Sequence, residues 1–163
     1  MNLKRFAKRT YCGKTDLIRK FVNNHNNMYE HNTTIRVRYA ETDRMDVVYY
    51  GNYAQYFEVG RVESLRALGI SYKDIEDMGV ILPVVELQIK YLRPAKYDDL
   101  LTVKSIIKTL PIDHKIEFNQ EVYNEQGKLL TVGTVKLYFM DDQFQNKVKM
   151  PDLMREKLIP YFS

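Results

Sequence analysis

The chain is poor in the residues that announce the commonest special chemistries. Cys12 is its one cysteine, there is no tryptophan, and histidine occurs three times in 163 residues. A single thiol excludes an intramolecular disulfide framework and a cysteine-rich metal cluster. His25, His31 and His114 stand apart from one another and from acids at any metal-ligand spacing, so no metal site is expected. The seven glycines form neither a phosphate-cradling loop nor a Gly-x-Ser-x-Gly nucleophile elbow, which removes nucleotide-cradle and serine-hydrolase readings. No apolar run approaches the roughly 20 residues that cross a bilayer as a helix. No membrane span is expected, and a reducing, cytoplasmic setting fits the cysteine count.

Charge is plentiful but unevenly placed. The net charge is +4, yet residues 1–27 carry seven basic side chains against Asp16 alone, which makes that segment +6 and leaves −2 for the rest. The basicity therefore belongs to an amino-terminal extension and the body is mildly acidic. A polybasic face able to grip a duplex is not evident in the body, so no nucleic-acid partner is expected. Residues 1–33 read as a basic extension, disordered or arising from an upstream start codon with Met28 the true first residue. A nucleic-acid arm and an organellar-type leader are the sharper alternatives. Residues 34–163 read as one domain, long enough to bury a real core.

Within that domain, Thr34 to Ala40 alternates as a half-buried strand does, with Ile35, Val37 and Tyr39 against Arg36 and Arg38. A loop from Glu41 to Gly51 follows. Asn52 is the expected N-cap of a helix running to about Leu68, with Tyr53, Phe57, Gly60, Ser64 and Leu68 inward. Gly60 and Ser64 are small enough to let that helix lie close against a sheet, and Gly69 ends it. Ser71 to Asp74 starts a short helix that Gly79 stops. Four strands follow, at Val85–Tyr91, Leu101–Lys108, Ile116–Val122 and Leu129–Met140, the last apolar on both faces as in a central strand. Asp152 is expected to cap a short final helix that Pro160 stops. One strand, one long helix and four strands joined by short turns predict an α+β layer architecture, an antiparallel sheet wrapped round a single helix.

The most informative stretch is Tyr39 to Tyr53, YAETDRMDVVYYGNY. It places Asp43 in a tight polar turn just before an aromatic segment that opens the long helix. A carboxylate near exposed helix N–H groups is a device for attacking or hydrating a carbonyl: the helix end donates to an oxyanion and the acid is nucleophile or base. A bland role for Asp43 is to satisfy N–H groups of its own turn.

This order of elements, with the Tyr39–Tyr53 motif and the following YFEVGRVESLRALG, resembles the hotdog-fold thioesterases. More narrowly it is similar to the 4-hydroxybenzoyl-CoA and Tol–Pal-associated acyl-CoA thioesterase family, over Thr34 to Met140. The resemblance implies a five-stranded antiparallel sheet curved around one central helix, and hydrolysis of an acyl-CoA thioester to free acid and coenzyme A. It places the essential carboxylate on Asp43 and the polarising backbone N–H on Tyr50, with Gly51, Asn52 and Tyr53 in the first helical turn. Val47, Val48 and Tyr49 match the family's apolar wall, and Glu58 an acidic helix position that lines the acyl pocket in some members. A pairing of Glu58 with Arg61 is the competing role.

No cofactor is implied, coenzyme A being part of the substrate, and the resemblance implies a homodimer or homotetramer with the site at a subunit interface. Asp46 departs from the glycine many relatives carry there, and Tyr50 departs from the histidine of the Tol–Pal branch. Lys90, Arg93, Lys108 and Lys115 are available to coenzyme A phosphates, with none singled out. Alternatives that stay open are a thioesterase acting on acyl carrier protein and a non-catalytic hotdog binding module.

Overall fold

The computed structural model describes residues 27–163. The readings of the basic extension before them, with Cys12 and His25, lie outside the described residues. From Tyr29 onward the chain is ordered into β1 (Tyr29–Arg36), a 3₁₀ turn (Tyr39–Glu41), α1 (Asn52–Ala67) and α2 (Tyr72–Asp77). Strands β2 (Val80–Ile81), β3 (Val84–Tyr91), β4 (Leu100–Ile107), β5 (Lys115–Tyr123), β6 (Leu129–Tyr138) and β7 (Met140–Asp141) follow. The chain closes with α3 (Asp152–Leu158) and a 3₁₀ turn at Ile159–Tyr161.

Five strands form one antiparallel sheet in the order β1-β4-β5-β6-β3, as the hotdog arrangement requires. Helix α1 packs on β1, β4 and β5. Its inward stripe is the one expected from the spacing: Tyr53, Phe57, Gly60, Ser64 and Leu68 are all buried. They meet the inward-facing residues of β4 (Leu101, Val103, Ser105, Ile107) and β5 (Ile116, Phe118, Gln120, Val122). Each large apolar side chain removed from water in this way contributes about 1.5–3 kcal/mol. The close approach is visible at two glycines. A methyl group at Gly60 would lie 2.6 Å from Val103, and one at Gly133 of β6 would lie 2.3 Å from the Phe57 ring. Strand β6 runs between β5 and β3, an interior position in the sheet.

Four expectations need correction. Strand β1 begins at Tyr29, paired to Ile107, so residues 29–33 belong to the domain and its boundary is not at 33/34. The same strand ends at Arg36, because Tyr39 to Glu41 turn back: the Arg38 main-chain N–H and guanidinium both donate to the Glu41 carboxylate. Asn52 is the first helical residue and Gly51 occupies the cap; the Asn52 side chain donates instead to the Glu41 carbonyl at 2.8 Å. Asp152 likewise is the first helical residue of α3, with Pro151 at its cap. The stop signals behave as expected, with Gly69, Gly79 and Gly127 all at positive φ.

Candidate active site

The loop between β1 and α1 is held as a narrow hairpin. Thr42 and Val48 form an antiparallel bridge, and the Asp43 N–H donates to the Val47 carbonyl at 2.9 Å. Asp43 Oδ1 accepts the Met45 N–H at 2.8 Å, the local turn bond its residue type favours. Its other carboxylate oxygen accepts no hydrogen bond among the described residues and is free for a ligand. At the tip, Asp46 takes φ +59°, a left-handed geometry that aspartate tolerates better than most residues. Val48 is buried, and its N–H donates to Ala95, which fastens the returning limb to the segment after β3.

The hairpin delivers the chain to the start of α1. The Tyr49 N–H donates to the Glu41 carbonyl, and the Asn52 N–H to the Tyr49 carbonyl. Between them, the N–H groups of Tyr50 and Gly51 donate to no acceptor among the described residues. These are the orphan donors of a helix start, carrying its partial positive charge.

Asp43 and Tyr50 line one groove of about 290 Å³, together with Met45, Val47, Val48, Tyr53, Tyr91, Leu92, Arg93 and Pro94. Its walls are mostly apolar, and aromatic contacts brace them. Tyr53 meets Tyr91 edge-on at 5.4 Å, and the Tyr91 hydroxyl donates to the Tyr50 carbonyl at 3.1 Å. Burial pushes the Tyr53 hydroxyl above its ordinary value, so it stays protonated at neutral pH. Asp43 and Tyr50, whose N–H is one of the two unpaired donors, thus share the groove, whereas Gly51 is not among its lining residues.

The remaining expected positions divide. Tyr49 is outside the groove lining; its ring lies over Gly51 and against Tyr50, with centroids 4.4 Å apart. Glu58 is exposed on the outer face of α1 beside Gln55, Val59 and Val62, and does not line the groove of the single chain. It makes no ion pair with Arg61, which is buried. Asn52 serves the loop, not the groove. Of the four cations, Arg93 reaches the groove; Lys108 and Lys115 line a separate cavity of about 490 Å³ with His114 and Tyr138. That larger cavity lies at the opposite end of the sheet, where β5 begins, and neither Asp43 nor the start of α1 lines it. Among the described residues no group of His, Cys, Asp and Glu could hold a metal ion.

Of the second wall, Tyr91 to Pro94, Arg93 alone is a sequence candidate, as one of four cations available to coenzyme A phosphates. Arg93-Pro94 signals only the end of a strand, and nothing local says that this end faces residues 43–50. Glu41 was likewise read as part of a loop. An acid three residues after Arg38 is the signal that could have revealed its internal role.

Residues 37–158 match the model of the thioesterase-like superfamily. The chain belongs to this superfamily. In Bacillus subtilis, the protein named "Putative acyl-CoA thioesterase YneP" is 39% identical over 100 residues, 61% of this chain and 72% of that protein. The acyl-CoA thioester hydrolase YbgC of Escherichia coli is 29% identical over 107 residues, covering 66% of this chain and 79% of the relative. Among solved structures, a DHNA-CoA thioesterase from Staphylococcus aureus superposes with a TM-score of 0.70 at 35% identity, over 74% of this chain and 80% of that one. The superfamily match spans the hairpin, α1 and the whole second wall, so every residue of the groove lies inside it.

Proposed function

We propose that this chain hydrolyses acyl-CoA thioesters to the free acid and coenzyme A, with Asp43 as the reacting carboxylate and the amide donors at the start of α1, led by Tyr50, as the oxyanion site. The observation that carries the reading is the shared groove: the Asp43 side chain has an uncommitted oxygen, and Tyr50 has an unpaired N–H. As a thioester carbonyl becomes tetrahedral, negative charge grows on its oxygen, and fixed donors aimed at it lower the barrier. Asp43 supplies the other half. It either attacks the carbonyl carbon, giving a mixed anhydride that water cleaves, or takes a proton from the attacking water. Coenzyme A leaves as a thiolate, a much better leaving group than an alkoxide, and so needs little help from a general acid.

An oligomer supports this chemistry. Strand β3 is an edge strand, and Val84, Val85, Leu87 and Tyr91 along it are exposed. An unpaired apolar edge is a template for a second strand, and a second copy of the chain is the natural occupant. Because Tyr91 to Pro94 continue from that edge into the groove, a neighbour there would complete its outer rim. No helix among the described residues is long and apolar enough to cross a membrane. A cytoplasmic location goes with the acyl-CoA substrate and the scarcity of cysteine.

The test is Asp43→Asn, which keeps size and turn geometry but removes both nucleophile and base. Coenzyme A release should fall by about 10²–10⁴-fold with an unchanged far-UV spectrum. Retention of more than about a tenth of wild-type turnover on the best thioester rules the role out. Tyr50→Phe, in contrast, should leave the rate nearly unchanged, since only the main chain of that residue acts.

A further inference from the structure

Two residues before Asp43, a second carboxylate is used quite differently. Glu41 closes the 3₁₀ turn after β1 and is 4% exposed. A buried charge persists only where it is fully hydrogen-bonded. Its Oε2 accepts from the Arg38 N–H and the Tyr56 hydroxyl, both at 2.8 Å. Its Oε1 accepts from Arg38 Nε at 2.8 Å and Nη2 at 2.5 Å. The carbonyl of the same residue accepts from the Tyr49 N–H at 2.9 Å and from Asn52 Nδ2 at 2.8 Å. One residue thus ties together the exit of β1, the core face of α1, the first helical residue and the returning limb of the hairpin.

What these ties hold apart is the catalytic pair. Asp43 lies on the outgoing limb and Tyr50 follows directly from the returning one, with Glu41 bonded across both. By taking the Tyr49 N–H, the Glu41 carbonyl also leaves the next two N–H groups, those of Tyr50 and Gly51, as the unpaired ones. Glu41 itself does not line the groove, so substrate bound there does not touch it.

We propose that Glu41 is a positioning residue for thioester hydrolysis: its carboxylate on Tyr56 and its carbonyl on Tyr49 and Asn52 set the spacing between the Asp43 carboxylate and the Tyr50 N–H. This rests on the assignment of Asp43 and Tyr50 made above. Glu41 moves no proton and forms no bond in the reaction. Its removal leaves substrate affinity intact and lowers only the rate of the chemical step.

The experiment compares kcat and KM for one acyl-CoA in wild type, Glu41→Gln, Tyr56→Phe and Asp43→Asn, each well below its own unfolding midpoint. A misplacement of about 1 Å between reacting groups lowers a rate by about 100-fold, so Glu41→Gln should lose about 10–100-fold in kcat. Its KM should stay within about threefold, as should the Kd of a non-hydrolysable thioether analogue, because ground-state contacts are untouched. Tyr56→Phe removes one of the ties without disturbing the Arg38 pair, and should lose at least about threefold in kcat at constant KM.

If Glu41→Gln fails to fold, Tyr56→Phe decides by its own threshold, a loss of at least about threefold in kcat at constant KM. A smaller kcat loss in whichever variant decides, or a loss that appears in KM, overturns the proposal. The Asp43→Asn arm separates the two readings. Inactive Asp43→Asn beside fully active Glu41→Gln sinks the positioning role alone, whereas active Asp43→Asn sinks the parent assignment.

Discussion

Replacing Gly60 by alanine should destabilise this protein, although the same change in an ordinary helix interior stabilises by about 1 kcal/mol. The new methyl would lie 2.6 Å from Val103 Cγ1, 2.9 Å from Ser105 Oγ and 3.1 Å from Gln120 Nε2. All three neighbours are buried, and Gln120 Nε2, although it ends a long side chain, is fixed by two hydrogen bonds. Either Val103 leaves its rotamer or α1 lifts from the sheet, and overpacking of this kind costs about 1–3 kcal/mol. Gln120 adds to the penalty, since its Nε2 donates to the Phe57 carbonyl at 2.8 Å and to Ser105 Oγ at 2.9 Å. Displacing it would leave a dry amide short of partners, a further loss of about 1–3 kcal/mol. After the helix-propensity gain is subtracted, the net loss is roughly 1–5 kcal/mol. For a chain of this length each kcal/mol moves Tm by about 2–4 °C, so a fall of roughly 2–20 °C is expected. Thermal unfolding followed by circular dichroism, at matched protein concentration because association shifts Tm, measures it. An unchanged or raised Tm would refute the packing argument.

Two further expectations concern the hairpin. Asp46 sits at φ +59°; Asp46→Val places a β-branched residue where the left-handed region is most hostile and should cost about 1–2 kcal/mol, while Asp46→Gly should be nearly neutral, as read from urea midpoints. For Glu41, burial pushes the carboxyl up, but the Arg38 main-chain N–H, its guanidinium and the Tyr56 hydroxyl together outweigh that and hold it below the ordinary glutamate value. A group depressed in the folded state stabilises it above the unfolded pKa of about 4.3 and loses that contribution as pH falls through the folded value. Wild type should therefore lose more stability than Glu41→Gln on going from about pH 6 to pH 3, and equal losses in urea titrations at the two pH values would contradict the arrangement.

Much of the fold was legible because period-two and period-3.6 patterns reflect burial on one face, and here most elements have one. The stripe on α1, the alternation of β4 and β5 and the turn glycines all declare themselves locally. The failures have physical reasons. Strand β1 begins among Glu30, His31, Asn32 and Thr33, a polar run that pairs by backbone at a sheet edge and needs no apolar signature. Strand β3 reads as half-buried, yet Val84, Val85 and Leu87 are exposed because an edge strand lacks a neighbour on one side. The small β2–β7 sheet joins Val80 to Asp141 and Ile81 to Met140; each strand is too short to show a period.

At the site, Asp43, Tyr50 and Tyr53 were legible as one contiguous motif, and all three line the groove. Tyr91 to Pro94 and the internal role of Glu41 depend on long-range closure, which no local pattern encodes.

The groove has two walls of different ancestry in the chain, and this has an evolutionary consequence. On the proposed mechanism, the wall that carries Asp43 and Tyr50 is the one Glu41 ties in place, and its drift would cost turnover. The facing wall, Leu92, Arg93 and Pro94, is exposed and follows an edge strand. On the same mechanism, substitutions there would change which acyl group is accepted while leaving the reacting groups alone, so acyl preference would be freer to vary than the chemistry.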